Sequence, residues 1–150
     1  MKKYILLLIV LLSSCTYKYN ENDIIEKAKE EIPLKFDTSL GTFEIEKINS
    51  IKFSEEEQRI FINMDAKLSN SKFDYFYISG KPVLKENKIF LTELRAEKVE
   101  FIFSVKPVLS YIFNNVLSEI EILEISKFKQ KLLKSFYIKD ESIDFKVNIF

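Results

Sequence analysis

The chain has 150 residues, 47% of them hydrophobic and 31% charged, which describes one globular domain large enough for a core that needs no disulfide or metal staple. Bases and acids balance at 23 each, so there is no basic footprint for nucleic acid. With no His, only Gly41 and Gly80, and a single Cys, the chain lacks the usual general base, a glycine-rich phosphate cradle, an intramolecular disulfide and a Cys-cluster zinc site. These absences argue against an enzyme and against a bound cofactor or metal.

Lys2 and Lys3 precede an apolar run, Tyr4–Leu12, of nine residues. A membrane-spanning helix needs about 20, but this length suits the apolar region of a signal peptide. The run ends in Leu12-Ser13-Ser14-Cys15, which resembles the bacterial lipobox: a branched apolar residue, two small residues that let the peptidase seat an extended segment, and the Cys that receives diacylglycerol. The expected organisation is a cleaved lipoprotein signal peptide at 1–14 and a single lipid-anchored domain at 15–150, tied to membrane lipid through acylated Cys15. Cleavage would remove Lys2 and Lys3 from the 23 bases and none of the 23 acids, leaving a net charge of −2. One acyl chain holds a protein marginally and two or more hold it stably. Thr16, where an Asp would signal inner-membrane retention in enteric bacteria, favours the outer membrane facing the periplasm.

Tyr17-Lys18-Tyr19 reads as a short strand, and Asn20 as the N-cap of a helix with Glu21 and Asp23 in its first turn. Ile24, Ile25, Ala28 and Ile32 give that helix one apolar face, and Pro33 stops it. Structure thus begins almost at the anchor.

Residues 42–103 read as consecutive hairpins in an antiparallel meander. Phe43 and Ile45 alternate with polar neighbours, the phase slips near Lys47–Ile48, and Ile51 and Phe53 resume. Ser54–Gln58 is a turn. Ile60, Ile62, Met64, Ala66 and Leu68 mark a half-buried strand. Ser69-Asn70-Ser71 leads into Phe73–Pro82, where Phe73, Tyr75 and Tyr77 alternate with Phe76 and Ile78, so both faces are apolar and both call for cover. Lys85–Lys88 turns the chain into a strand reaching Phe103.

The period then changes. Pro107 suits a first helical turn, and Val108, Leu109, Ile112, Phe113, Val116 and Leu117 form the apolar stripe of a core helix. Glu119–Ile125 reads as a strand, Lys127–Ser135 as a short helix with Phe128, Leu132 and Leu133 inward, and Phe136–Ile138 and Ile143–Phe150 as closing strands.

In this order the segments resemble the YceB-like family of bacterial lipoproteins, a family of unknown function. The residues that carry the resemblance are Tyr17-x-Tyr19-Asn20-Glu21-x-Asp23-Ile24, Asp65-Ala66-x-Leu68, Pro82-Val83, Ile89-Phe90-Leu91-x-Glu93-Leu94, and Val108-Leu109-x-Tyr111-Ile112 followed by Asn114. The chain departs from the family in a short loop before residue 60 and a compressed C-terminal helix region. The family is similar to tubular lipid-binding (TULIP-like) domains. The resemblance therefore implies an α+β fold, in which a strongly curved antiparallel sheet wraps a long core helix, with an N-terminal helix and a short C-terminal helix. It also implies an apolar groove between sheet and helix.

Three candidate sites follow. The groove would be lined by Phe73, Tyr75, Tyr77, Phe90, Phe101 and Phe103 from the sheet and by Ile112, Phe113 and Val116 from the helix; the same residues would equally serve a closed core. Lys127, Lys129, Lys131 and Lys134 would face an anionic membrane surface, or simply solvent. Glu55-Glu56-Glu57 has no second acidic cluster near it in sequence and reads as a solvated hairpin tip rather than a cation site. Two functions remain open. One is a periplasmic lipoprotein binding a lipid or other hydrophobic molecule, for which a void of roughly 300 Å³ or more would be the mark. The other is a structural lipoprotein, accessory to an envelope protein complex, with a close-packed core and no ligand.

Overall fold

The computed structural model describes residues 15–101, 105–115, 119–125 and 133–147; residues 1–14, where a signal peptide is expected, lie outside them. Strand β1 (Cys15–Asn20) leads directly into helix α1 (Glu21–Lys29). Asn20 and Asp23 form a reciprocal capping box: the Asp23 N–H donates to Asn20 Oδ1 at 3.0 Å, and the Asn20 N–H donates to Asp23 Oδ2 at 2.9 Å. Acids in the first turn and Lys27 and Lys29 in the last suit the helix dipole. Ile24 is buried, with Ile25 and Ala28 half-buried.

The main sheet contains β2 (Leu34–Thr38), β3 (Gly41–Ser54), β4 (Arg59–Leu68), the two-residue β5 (Ser71–Lys72), β6 (Tyr75–Lys85), β7 (Lys88–Glu100) and β8 (Ile120–Glu124). Its order is β2-β3-β4-β6-β7-β8, with β5 beside β4, and every pairing is antiparallel. The expected meander is thus present. It gains one strand, β2, that the reading from residue 42 onward leaves out, although Leu34, Phe36 and Thr38 alternate with polar residues.

The sheet curls strongly into a half-barrel. Bulges supply the bend, because an extra residue on one strand tightens its twist. Register shifts fall at Ile45/Lys47, Ile48/Ser50, Tyr77/Ile78, Ser79/Lys81 and Ile89/Phe90. The inner face carries Phe43, Ile45, Ile60, Ile62, Phe76, Ile78, Ile89 and Leu91, all buried. A second sheet, ordered β1-β10-β9, joins β1 to the C-terminal hairpin of β9 (Leu133–Lys139) and β10 (Ser142–Val147). Tyr19, Phe136 and Phe145 pack there edge-on and tilted, at centroid distances of 5.4 and 5.9 Å from Phe145.

Two expectations about helices are corrected. The described chain is mostly β, with two short helices and no long core helix. The second helix, α2 (Val105–Asn115), has 11 residues. At 1.5 Å per residue it spans about 16 Å, whereas the longer strands of the sheet reach roughly 45 Å. It cannot fill the curl alone. Ile112 is buried and Phe113 leans on the core, while Tyr111 accepts a hydrogen bond from the Ser39 N–H at 3.3 Å. The inner face is covered jointly by α1, α2 and the second sheet. The short C-terminal helix expected at 127–135 also ends differently: Leu133, Lys134 and Ser135 belong to β9, and residues 126–132 lie outside the described residues. Pairing with β10 at Leu133↔Val147 satisfies the backbone there, and that tertiary gain overrides helical spacing.

Candidate functional site

The described residues enclose a cavity of about 220 Å³ between α1, β8 and the inner faces of β3 and β4. Ile45, Ile48 and Ile51 line it from β3, and Ile62 and Met64 from β4. In a regular strand Ile48 would point away from Ile45. The two bulges on either side of it bring all three to one wall. Ile24, Ala28 and Ile32 close one side from the α1 segment, and Ile120 and Ile122 the other from β8. Helix periodicity explains the first group, since positions four apart share a face.

The mouth is charged. Lys27, Glu30, Glu31, Glu121 and Glu124 ring it. Lys27 Nζ donates to the Glu124 carbonyl at 2.9 Å, Lys88 Nζ to Glu121 Oε2 at 3.0 Å, and Asn87 Nδ2 to Glu124 Oε1 at 3.0 Å. The Glu121 carboxylate, with Glu124 and Glu31 adding their fields, holds the Lys88 ammonium above its ordinary pKa. Two other depressions, a polar one beside Asn20, Lys52 and Asp140 and a mixed one beside Tyr17 and Asp23, open more broadly to solvent.

None of the described residues among those expected to line a groove borders this cavity. Phe73 and Phe101 do meet, stacked at 4.3 Å, and Phe73 continues into Phe76 at 5.1 Å and Phe43 at 6.1 Å, forming a solid aromatic cluster. Tyr75 and Tyr77 stand on the opposite face of β6 from Phe76 and Ile78. Tyr75 is 46% exposed beneath Lys98 Nζ at 3.7 Å, and Tyr77 lies beside Phe61 at 6.0 Å. Phe90 is half-buried under Lys85 Nζ at 5.5 Å, and Ile112 and Phe113 belong to the core. Phe103, Val116, Lys127, Lys129 and Lys131 lie outside the described residues, and Lys134 sits in β9. Glu55, Glu56 and Glu57 are all exposed, but the tip is not free: Glu55 pairs with Lys139 Nζ at 3.0 Å and its N–H donates to Asp140 Oδ1 at 3.0 Å. Among the described residues, no three acidic or sulfur side chains converge as a metal site would require, and no helix is long and apolar enough to cross a membrane.

No family model matches this chain, and no curated protein sequence is similar to it. The site is therefore read from its own chemistry.

The residues that form it carry a recoverable signal. Ile120, Ile122, Leu123 and Ile125 make β8 apolar on both sides, and the amphipathic face of α1 needs an apolar counterpart. What adjacency in the chain cannot show is that residues 24–32, 45–64 and 120–124 meet.

Proposed function

We propose that this chain is a membrane-anchored lipoprotein of the bacterial envelope, held through acylated Cys15 and facing the periplasm from the outer membrane, that binds a hydrophobic ligand between its curled sheet and α1. The observation that carries the binding half is the apolar cavity of about 220 Å³ with a polar mouth. It is smaller than the ~300 Å³ lower bound usual for drug-sized ligands, yet larger than the ~150 Å³ apolar cavity that takes up benzene. It suits one alkyl chain or a small apolar molecule. The lipobox and the start of β1 at Cys15 support the tether, because they leave no long linker between anchor and domain. The resemblance to YceB-like lipoproteins and TULIP-like domains belongs to this reading, with a helix shorter than that resemblance implies.

The test is extraction of residues 15–150, purified with Cys15→Ser, followed by mass spectrometry. A co-purified apolar compound that disappears in Ile48→Trp, a substitution that fills the cavity from a half-buried position, is the expected outcome. The second reading, an accessory lipoprotein with no ligand, is favoured by the solid packing of Phe43, Phe73, Phe76 and Phe101. It predicts an empty extract and a stoichiometric protein partner recovered from solubilised envelope.

A further inference from the structure

The mouth of the cavity restricts what can enter it. Four carboxylates (Glu30, Glu31, Glu121 and Glu124) border it, against the ammonium groups of Lys27 and Lys88. Lys88 is committed to Glu121, and Lys27 donates to a backbone carbonyl. Among the described residues Glu30, Glu31 and Glu124 have no ion-pair partner, so the described groups of the rim sum to a net charge of about −2 at neutral pH. The walls behind it are Ile, Leu, Met and Ala and cannot solvate a head group, which must therefore remain at the rim. The volume admits a single chain.

We infer that the preferred ligand is a single-chain amphiphile with a positively charged head, its alkyl part among Ile45, Ile51 and Ile62 and its cation between Glu31 and Glu124. This rests on the binding reading above and assigns its ligand class. A carboxylate, phosphate or sulfate head would meet like charge; an ammonium head would meet complementary charge at an exposed rim, where the attraction is modest and screened by salt.

The test is displacement of a neutral apolar dye, Nile red, from residues 15–150 carrying Cys15→Ser, with Lys127, Lys129 and Lys131 present. The competitors are dodecyltrimethylammonium, dodecyl maltoside and dodecyl sulfate below their micelle concentrations, with far-UV circular dichroism recorded to confirm that the fold persists. At low salt the cation is expected to compete on the order of ten-fold more tightly than the anion, with the maltoside between them. The gap should narrow in about 0.5 M salt, where the screening length falls below about 5 Å. In Glu31→Gln/Glu124→Gln the cation and anion should converge while the maltoside is unchanged. Equal or tighter binding of the anion, or a preference that survives both substitutions, overturns the inference alone. Displacement by none of the three, or displacement untouched by Ile48→Trp, overturns the binding reading and the inference with it.

Discussion

Gly41 and Arg59 show how single residues hold the curl. Gly41 adopts φ +116° at the β2–β3 turn, and a Cβ built there would overlap Ser69 Oγ. Both the backbone and the space demand glycine. Gly41→Ala is expected to cost about 1–3 kcal/mol, read as a lower urea midpoint with an unchanged m-value. Arg59 is only 2% exposed, although it stands on the face of β4 opposite Ile60 and Ile62. Its Nε donates to Ser79 Oγ at 3.0 Å, and one Nη donates to the carbonyls of Ser79 at 3.2 Å and Glu93 at 2.7 Å. Glu93 has φ +48°, next to the Ser79/Lys81 bulge, so the guanidinium clamps the place where β7 departs from regular pairing. Burial pushes the Arg59 pKa down, with Arg95 adding to the effect. Nothing near Arg59 in sequence marks it as interior, because its partners lie 20 and 34 residues away.

At the scale of elements, an ion ladder crosses β2, β3, β4 and β5. Glu44 Oε2 lies 3.6 Å from Lys35 Nζ and 3.3 Å from Lys67 Nζ, and Glu46 lies 2.9 Å from Lys67 and 3.3 Å from Lys72. Register places Lys67 opposite Lys72, a repulsion that Glu46 relieves. Hydrogen bonds from Lys67 and then Lys72 hold the Glu46 carboxyl below its ordinary 4.5, and Glu46 and Glu44 hold Lys67 above 10.5. The carboxylate's contribution is therefore present above pH 4.5 and lost as pH falls below it. The ammonium's is present below 10.5 and lost above it. Glu46→Gln is expected to lower the urea midpoint modestly at neutral pH and to flatten the acid limb, so that the variant and the wild type converge as the pH falls below 4.5. Gln58 joins the two sheets. Its side-chain amide donates to the Ile138 carbonyl and accepts from the Ile138 N–H, each at 3.2 Å, imitating a neighbouring strand. Gln58→Ala should cost about 1 kcal/mol and speed amide exchange at Ile138 more than in β4. Exchange unchanged at Ile138 would remove Gln58 from this role.

For the described residues as a whole, β1 pairs with β10 from Cys15↔Val147 to Asn20↔Ser142, so Cys15 is stitched into the second sheet beside β10. An anchor at Cys15 would hold this second sheet close to the bilayer. Cys15→Ser is expected to move the chain from the membrane to the soluble fraction and to change its electrophoretic mobility; unchanged behaviour on both counts removes the tether. The strands were legible because their burial is periodic: Ile60, Ile62, Met64, Ala66 and Leu68 alternate in the chain and are all buried. The N-cap at Asn20 and the slip near Lys47 were legible because each depends on neighbours within a few residues. The length of the core cover was not. Apolar residues at helical spacing show that a face is buried, but they do not say whether a helix, a second sheet or both lie across it. The aromatic pattern around Tyr75 and Tyr77 was legible as two apolar faces, while which face turned inward depended on the direction of curl. The sequence by itself determined the first helix and the strands of the central meander with their turns, because these follow from local periodicity and capping; β2 and the start of β9 it did not. The tertiary structure alone decided where the cavity lies. Its walls come from segments up to a hundred residues apart, and only the bulge-driven bending of the sheet brings them together.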